Sequence, residues 1–301
     1  METDYHVPVL LKECIDGLNI KPDGVYVDVT FGGGGHSRAI LQKLGKNGTL
    51  IAFDQDPDAQ RNKIDDPRFL FVDQNFAFLK NNLRLLGYKQ VDGILADLGV
   101  SSHQFNEPER GFSTRFESSL DMRMDKQGKL TAADVLNTYP EEKLHRIFGI
   151  YGEVKNAKSL ARSVVTFRAN QPIVTLADFK QAAAAHIPKG KENKYMAQVF
   201  QALRIEVNAE IDVLESFLLQ SAEVLHTGGR LVVMSYHSLE DRPVKNFIAK
   251  GKIRGEADKD FFGNEEKPLK AVTRKAIIAD EEELEKNSRA RSAKLRIGEK
   301  L

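Results

Sequence analysis

The stretch Val27-Asp28-Val29-Thr30-Phe31-Gly32-Gly33-Gly34-Gly35-His36 sets four glycines between a β-rich run and a helix-compatible one. Glycine lets the backbone turn tightly and lets a ligand approach without a Cβ in the way. Upstream, Val25–Thr30 reads as a strand; downstream, Ser37–Leu44 (SRAILQKL) reads as a helix. Thr49–Asp54 (TLIAFD), Arg68–Asp73 (RFLFVD) and Val91–Asp97 (VDGILAD) are three further strand candidates with helix-compatible sequence between them. Strands alternating with helices predict a parallel sheet covered on both faces. Right-handed crossovers then bring the strand C-termini to one edge, where such sheets bind ligands.

Twenty residues beyond Gly34, Asp54 closes the second strand, placed to accept hydrogen bonds from both hydroxyls of a ribose. A dinucleotide site needs G-x-G-x-x-G; counted from Gly32, the last glycine is replaced by Ser37. That substitution disfavours a nicotinamide-dependent oxidoreductase. Acids at successive strand ends (Asp28, Asp54, Asp73, Asp97) suit a cationic ligand better than a polyanion. S-adenosyl-L-methionine, a sulfonium carrying an adenosine, meets both conditions.

After Asp97 the alternation stops. A polar loop is expected from Gly99 to about Gly128. Capping boxes follow at Thr131–Asp134 and Thr175–Asp178, with helical spacing over Glu141–Arg168 between them. Apolar residues from Met196 through Leu218 recur at helical steps and predict one long helix, ended by Gly228-Gly229. Arg230–His237 (RLVVMSYH) reads as the returning strand. Residues 109–205 are therefore expected to be an inserted helical domain, and residues 1–108 with 206–301 the cofactor-binding domain.

Bulk properties narrow the class. With 301 residues and 41% hydrophobic content, the chain can bury a core without staples. Cys14 is the single cysteine, so no internal disulfide forms, as suits a reducing compartment. The opening METDYHVPVLL lacks the pattern of a secretory signal, and no apolar run approaches the ~18 residues of a spanning helix. These features predict a cytoplasmic protein with no membrane partner. A net charge of +1 neither requires nor excludes nucleic acid. The tail Lys286–Leu301 is basic, and reads either as a phosphate-tracking arm or as a solvated face. None of the seven histidines forms an H-x-x-x-H pair, so no metal is expected.

Asp97-Leu98-Gly99-Val100-Ser101-Ser102 ends the fourth strand. An exocyclic amine is a poor nucleophile because its lone pair is delocalised into the ring. A carboxylate accepting its N–H and holding it in line with a methyl donor meets that need. Asp97 is the catalytic candidate, with cofactor binding alone as its other reading; Ser101 and Ser102 are placed to orient a base. At the end of the last strand, Tyr236 or His237 could stack on a base taken out of its helix, while Ser238-x-x-Asp241 also reads as an ordinary capping box.

Taken together these segments resemble the bacterial small-subunit (16S) ribosomal RNA cytosine-N4-methyltransferase family. The resemblance rests on His6–Cys14, Asp28–Ser37, Ala52–Pro57, Asp92–Gln104, Glu109–Ser113, Leu120–Asp125 (LDMRMD), Phe200–Asn208, Ser235–Arg242 (SYHSLEDR) and Ser288–Arg296, in the family's order. It implies a Rossmann-like class I S-adenosylmethionine methyltransferase sheet with an inserted all-helical domain, residues 109–205, that helps hold RNA. It also implies N4-methylation of one cytidine near the decoding centre of 16S ribosomal RNA in the small ribosomal subunit. Cofactor positions carry over to Gly34, Gly35, His36, Asp54, Phe76, Asp97 and Gln104, and the candidate catalytic set is Asp97, Ser101 and His237. The family's loop often reads FGxGGH; here it is FGGGGH. Phe78 competes with Phe76 for the adenine. LDMRMD has no assigned role, and Arg123 pairs either with a phosphate or with Asp121 or Asp125.

Alternative functions are a DNA cytosine-N4 or adenine-N6 methyltransferase, disfavoured because DLGVSS lacks the proline turn of those enzymes, and a non-catalytic RNA-binding assembly factor. The sequence leaves monomer and homodimer open.

Overall fold

The computed structural model describes residues 8–259, 261–263 and 265–301. They divide into two compact units: residues up to Gly99 together with Ile211–Leu301, and the intervening Val100–Glu210. His6 and Val7, the start of one resembling stretch, lie outside the described residues.

In the first unit the chain forms α1 (Leu11–Leu18), β1 (Val25–Asp28), α2 (Gly35–Lys43), β2 (Thr49–Phe53), β3 (Phe69–Val72), α3 (Leu79–Leu85) and β4 (Val91–Asp97). Between β2 and β3 lies only a 3-10 turn, Pro57–Asn62, opened by Asp56, whose carboxylate accepts the Asp58 N–H at 3.0 Å. The second unit carries α4 (Ser102–Asn106), α5 (Ala132–Thr138), α6 (Glu141–Ile150), α7 (Ala157–Arg168), α8 (Leu176–Ala183) and α9 (Glu192–Asn208). Then α10 (Glu210–Val224) leads back to β5 (Leu225–Ser235), α11 (Ser238–Lys250), the short β6 (Asp258–Lys259) and β7 (Glu265–Glu266), β8 (Leu269–Ala271), α12 (Glu281–Lys286) and β9 (Lys294–Lys300).

Among the described residues the main sheet has seven strands in the order β3-β2-β1-β4-β5-β9-β8. The first five are mutually parallel; β9 runs antiparallel between β5 and β8. Side chains alternate across it. Leu50 and Ala52 join Cys14, Leu18, Ile40 and Leu41 on one face, while Ile51 and Phe53 join Leu83, Phe217, Leu218 and Phe247 on the other. Burial on both faces explains the near-continuous apolar runs of β2 and β4. Each fully buried Leu or Phe contributes about 1.5–3 kcal/mol.

The helical unit has its own core, with Leu136, Phe148, Leu160, Phe179 and Leu203 fully buried. Both capping boxes form: Thr131 Oγ1 accepts the Asp134 N–H at 3.0 Å, and Thr175 Oγ1 that of Asp178 at 3.2 Å. The LDMRMD segment is a structural knot. Arg123 grips Asp121 through Nε and Nη2 at 2.9 and 2.6 Å and gives Nη1 to the Gly128 carbonyl at 2.7 Å. Buried Arg110, from the ERGFS stretch, donates to the carbonyls of Arg123 and Met124 at 2.9 and 3.1 Å. Asn208 closes the knot, accepting from the Met124 N–H and donating to the Met122 carbonyl, both at 2.8 Å.

Three expectations are corrected. The long helix is two helices, because Ala209 adopts left-handed backbone (φ 48°) immediately after Asn208 is held by Met122 and Met124. Gly228-Gly229 lies inside β5, beyond the end of α10 at Val224. The loop from Gly99 to Gly128 contains α4 and a 3-10 turn at Pro108–Arg110.

The end of the basic tail is neither an arm nor a solvated face. Lys294–Lys300 is an interior strand of the sheet with Leu295 and Ile297 buried. Arg296 pairs bidentately with Asp241 at 2.6 and 3.1 Å, and Glu299 answers Arg230 and Lys270, each at 2.7 Å. Among the described residues no helix is long and apolar enough to cross a membrane.

Candidate active site

The glycine turn joins β1 to α2. Asp28 at the end of β1 is buried and accepts the Ser37 hydroxyl at 2.7 Å and the Thr30 N–H at 3.1 Å, tying strand to helix. Burial raises its pKa, against these donors. The Gly34 N–H closes the turn on the Phe31 carbonyl at 2.7 Å. Gly34 sits at φ +75°, where a Cβ would lie 2.8 Å from the Arg38 guanidinium and 2.9 Å from the Phe31 ring. A Cβ on Gly35 would lie 2.4 Å from Pro8, whereas one on Gly33 would meet nothing within 4 Å. Gly33, the position that FGxGGH leaves open, is thus also the one of these three where a side chain would meet nothing.

Asp54 follows β2. One oxygen accepts the Gly32 N–H and the other the Asp56 N–H, both at 2.8 Å. Burial pushes its pKa up to about 6 despite those two bonds. A carboxylate offers about four lone-pair sites, so each oxygen keeps capacity for a ribose hydroxyl. Phe76, just past β3, is half-buried, its ring edge-on to Phe217 at 5.4 Å; Phe78 is 53% exposed. Asp73 is exposed and bonded to Gln60.

Asp97 ends β4. Its N–H donates to Thr30 Oγ1 at 2.7 Å, which links it to the glycine turn. Its Oδ1 accepts the Tyr236 hydroxyl at 2.8 Å, and its Oδ2 lies 4.0 Å from His36 Nδ1. Burial raises its pKa to about 6; His36 and the Tyr236 hydrogen bond oppose the rise. His36, itself buried, has Nε2 3.3 Å from the Val9 carbonyl, which can only accept, so the Nε2 position carries the proton. Burial lowers its pKa, with Asp97 pulling the other way.

The structure brings Gly34, Gly35, His36, Asp54, Asp97, Tyr236 and His237 together in the sheet unit. Ser101 and Gln104 belong to the helical unit, where they form a capping box: Ser101 Oγ accepts the Gln104 N–H at 3.1 Å and Gln104 Oε1 the Ser101 N–H at 3.0 Å. Ser238-x-x-Asp241 is not a capping box. His237 is the N-cap of α11 without a side-chain cap; Glu240 instead accepts the Tyr236 N–H at 2.8 Å and lies 3.1 Å from His237 Nε2. Asp241 faces Arg296 and Lys294, which hold its pKa low even though burial raises it. Tyr236 is not a free stacking ring: it packs on the core and its hydroxyl is committed to Asp97.

Two contacts at the Asp97 carboxylate and amide, from Tyr236 and Thr30, were not foreseen. The signal for Tyr236 is register: Met234 is the partner of Asp97, and the side chain two residues on shares that face. It becomes readable only when β4 and β5 are known neighbours.

Known proteins share this pattern throughout. A protein from Christiangramia forsetii named ribosomal RNA small subunit methyltransferase H is 57% identical over 298 residues, 99% of this chain and 98% of its own length. Proteins of the same name from Bacteroides thetaiotaomicron (56% identical; 99% of this chain, 98% of its own) and Cytophaga hutchinsonii (57%; 98% and 99%) match similarly. The model of the MraW methylase family matches residues 3–301, and the chain belongs to that family.

Proposed function

We propose that this chain is an S-adenosylmethionine-dependent enzyme that methylates N4 of a specific cytidine in the decoding region of 16S ribosomal RNA. The observation that carries the chemistry is the placing of Asp97, with a carboxyl pKa near 6, beside the glycine turn to which Thr30 ties it. The substrate rests on the family and on the names of its members.

The residues fit the donor. Gly34 and Gly35 form the turn, the remaining lone pairs of Asp54 suit the ribose, and Phe76 offers an aromatic face for adenine. His36, Asp97 and Gln104 complete the proposed binding set. When bound, the cofactor supplies a methyl group on a sulfonium, an electrophile that needs no metal. Asp97 accepts a hydrogen bond from the exocyclic amine, orients it, and takes its proton as the nitrogen becomes cationic. A carboxyl poised near neutrality is ionised at pH 7 yet basic enough for that transfer. Ser101 and His237 are assigned to orienting the base, each fixed by its own hydrogen bonds. The helical unit Val100–Glu210 is assigned to holding RNA. The small ribosomal subunit in the cytoplasm is the setting, for which a buried free Cys14 is suited.

Incubation with methyl-labelled cofactor and either small ribosomal subunits or DNA tests the proposal. Label is expected in 16S ribosomal RNA as N4-methylcytidine. Label only in DNA, or N4-methylcytidine persisting in cells lacking the gene, refutes it.

A further inference from the structure

We propose that Tyr236 is a positioning residue for methyl transfer, its hydroxyl fixing the Asp97 carboxylate in one orientation and favouring its ionised form. The inference rests on the role given to Asp97 above. The geometry is specific. Tyr236 lies just beyond the end of β5, its backbone N–H anchored by buried Glu240 at 2.8 Å and its ring packed against the core around Cys14 and Leu295. Gly99, at φ +99°, borders the ring, where a Cβ would make an ordinary contact 3.6 Å from Tyr236 Cδ2. The hydroxyl then meets Oδ1 of Asp97 at 2.8 Å.

Without this donor the carboxylate would sit in an unfavourable field. Among the described residues, Asp28 on β1 and Glu240 on α11 are acidic groups that raise its pKa, and His36 on α2 is a basic one, held away from protonation by burial. The phenol itself is kept protonated by burial and by Asp97, so it remains a donor across the working range. Fixing Oδ1 leaves Oδ2 with one defined direction, which is what in-line presentation of an amine requires.

Tyr236→Phe removes one oxygen and keeps the ring. A hydrogen bond to an ionised group is worth about one to two pH units of carboxyl pKa. An ionised acceptor works above its pKa, so the acid limb of kcat against pH should move up by that amount. Turnover should fall about two- to ten-fold at pH 7 and recover by pH 9, while affinity for S-adenosylhomocysteine stays within about three-fold. A second readout needs no turnover. A carboxyl whose folded pKa is raised loses its stabilising share as pH rises through that pKa. The melting temperature of Tyr236→Phe should therefore drop further between pH 5.5 and 8 than that of the native protein.

An unmoved acid limb, or a uniform loss at every pH with an unchanged melting profile, overturns the inference. If the native protein methylates no ribosomal RNA, the functional proposal fails by itself, and the melting profiles still decide whether Tyr236 controls Asp97.

Discussion

Replacing Gly34 by alanine tests whether the turn is built as described. Two costs add. A non-glycine residue at φ +75° is strained by about 1–2 kcal/mol. The new Cβ also enters a space 2.8–3.0 Å from Arg38 and the Phe31 ring. Arg38 is the end of a flexible side chain, but Phe31 is wedged between Phe69 and Phe71, each 5.4 Å away, and cannot retreat. Overpacking of that kind costs about 1–3 kcal/mol. The sum is about 2–5 kcal/mol, a melting temperature lower by roughly 5–15 °C. Gly33→Ala is the control: its Cβ meets nothing within 4 Å and its stability should stay within about 0.5 kcal/mol. Thermal melting measures both, and calorimetric titration with S-adenosylhomocysteine should show binding weakened at least ten-fold by Gly34→Ala and nearly untouched by Gly33→Ala. Equal effects of the two alanines would refute the steric account.

Asp241→Ala should destabilise the sheet unit by about 3 kcal/mol, since it strands Arg296, only 16% exposed, without its bidentate partner. Urea unfolding checks it, and the double change with Arg296→Met should recover most of the loss. Asp54, raised from 3.8 to about 6, carries a pH signature. Its folded pKa lies above the unfolded value, so its contribution is present below about pH 4 and is lost as pH rises through 6. The loss amounts to at most about 3 kcal/mol. Urea midpoints between pH 4 and 7 should fall less steeply in Asp54→Asn; parallel profiles would count against it.

The parallel half of the sheet was legible because its signals are local. Apolar runs, a glycine turn and an acid at each strand end all lie within a few residues of one another, and β1, β2 and β4 begin where the sequence places them. The capping boxes at Thr131 and Thr175 were legible for the same reason. The break at Ala209 was not. Alanine is a good helix former, and nothing near it signals a stop. What ends α9 is Asn208 reaching Met122 and Met124, more than eighty residues away in sequence.

The same distinction accounts for β9 and for the site. In Lys294–Lys300 only Leu295 and Ile297 mark an inward face, and the charges between them mimic a solvated tail. Those charges are tolerable in an interior strand because Asp241 on α11, Arg230 on β5 and Lys270 on β8 supply their partners. Charge count therefore misleads wherever neutralising partners come from other strands. Asp97 follows the same logic in reverse. Its identity was readable from the end of a strand, but its proton affinity was not, because that depends on burial first and then on His36, Tyr236, Asp28 and Glu240 brought to it by the fold. A carboxylate at a strand end is a common feature; one raised to a near-neutral pKa by burial, with a tyrosine hydroxyl opposing the rise, is the part that only the fold assembles.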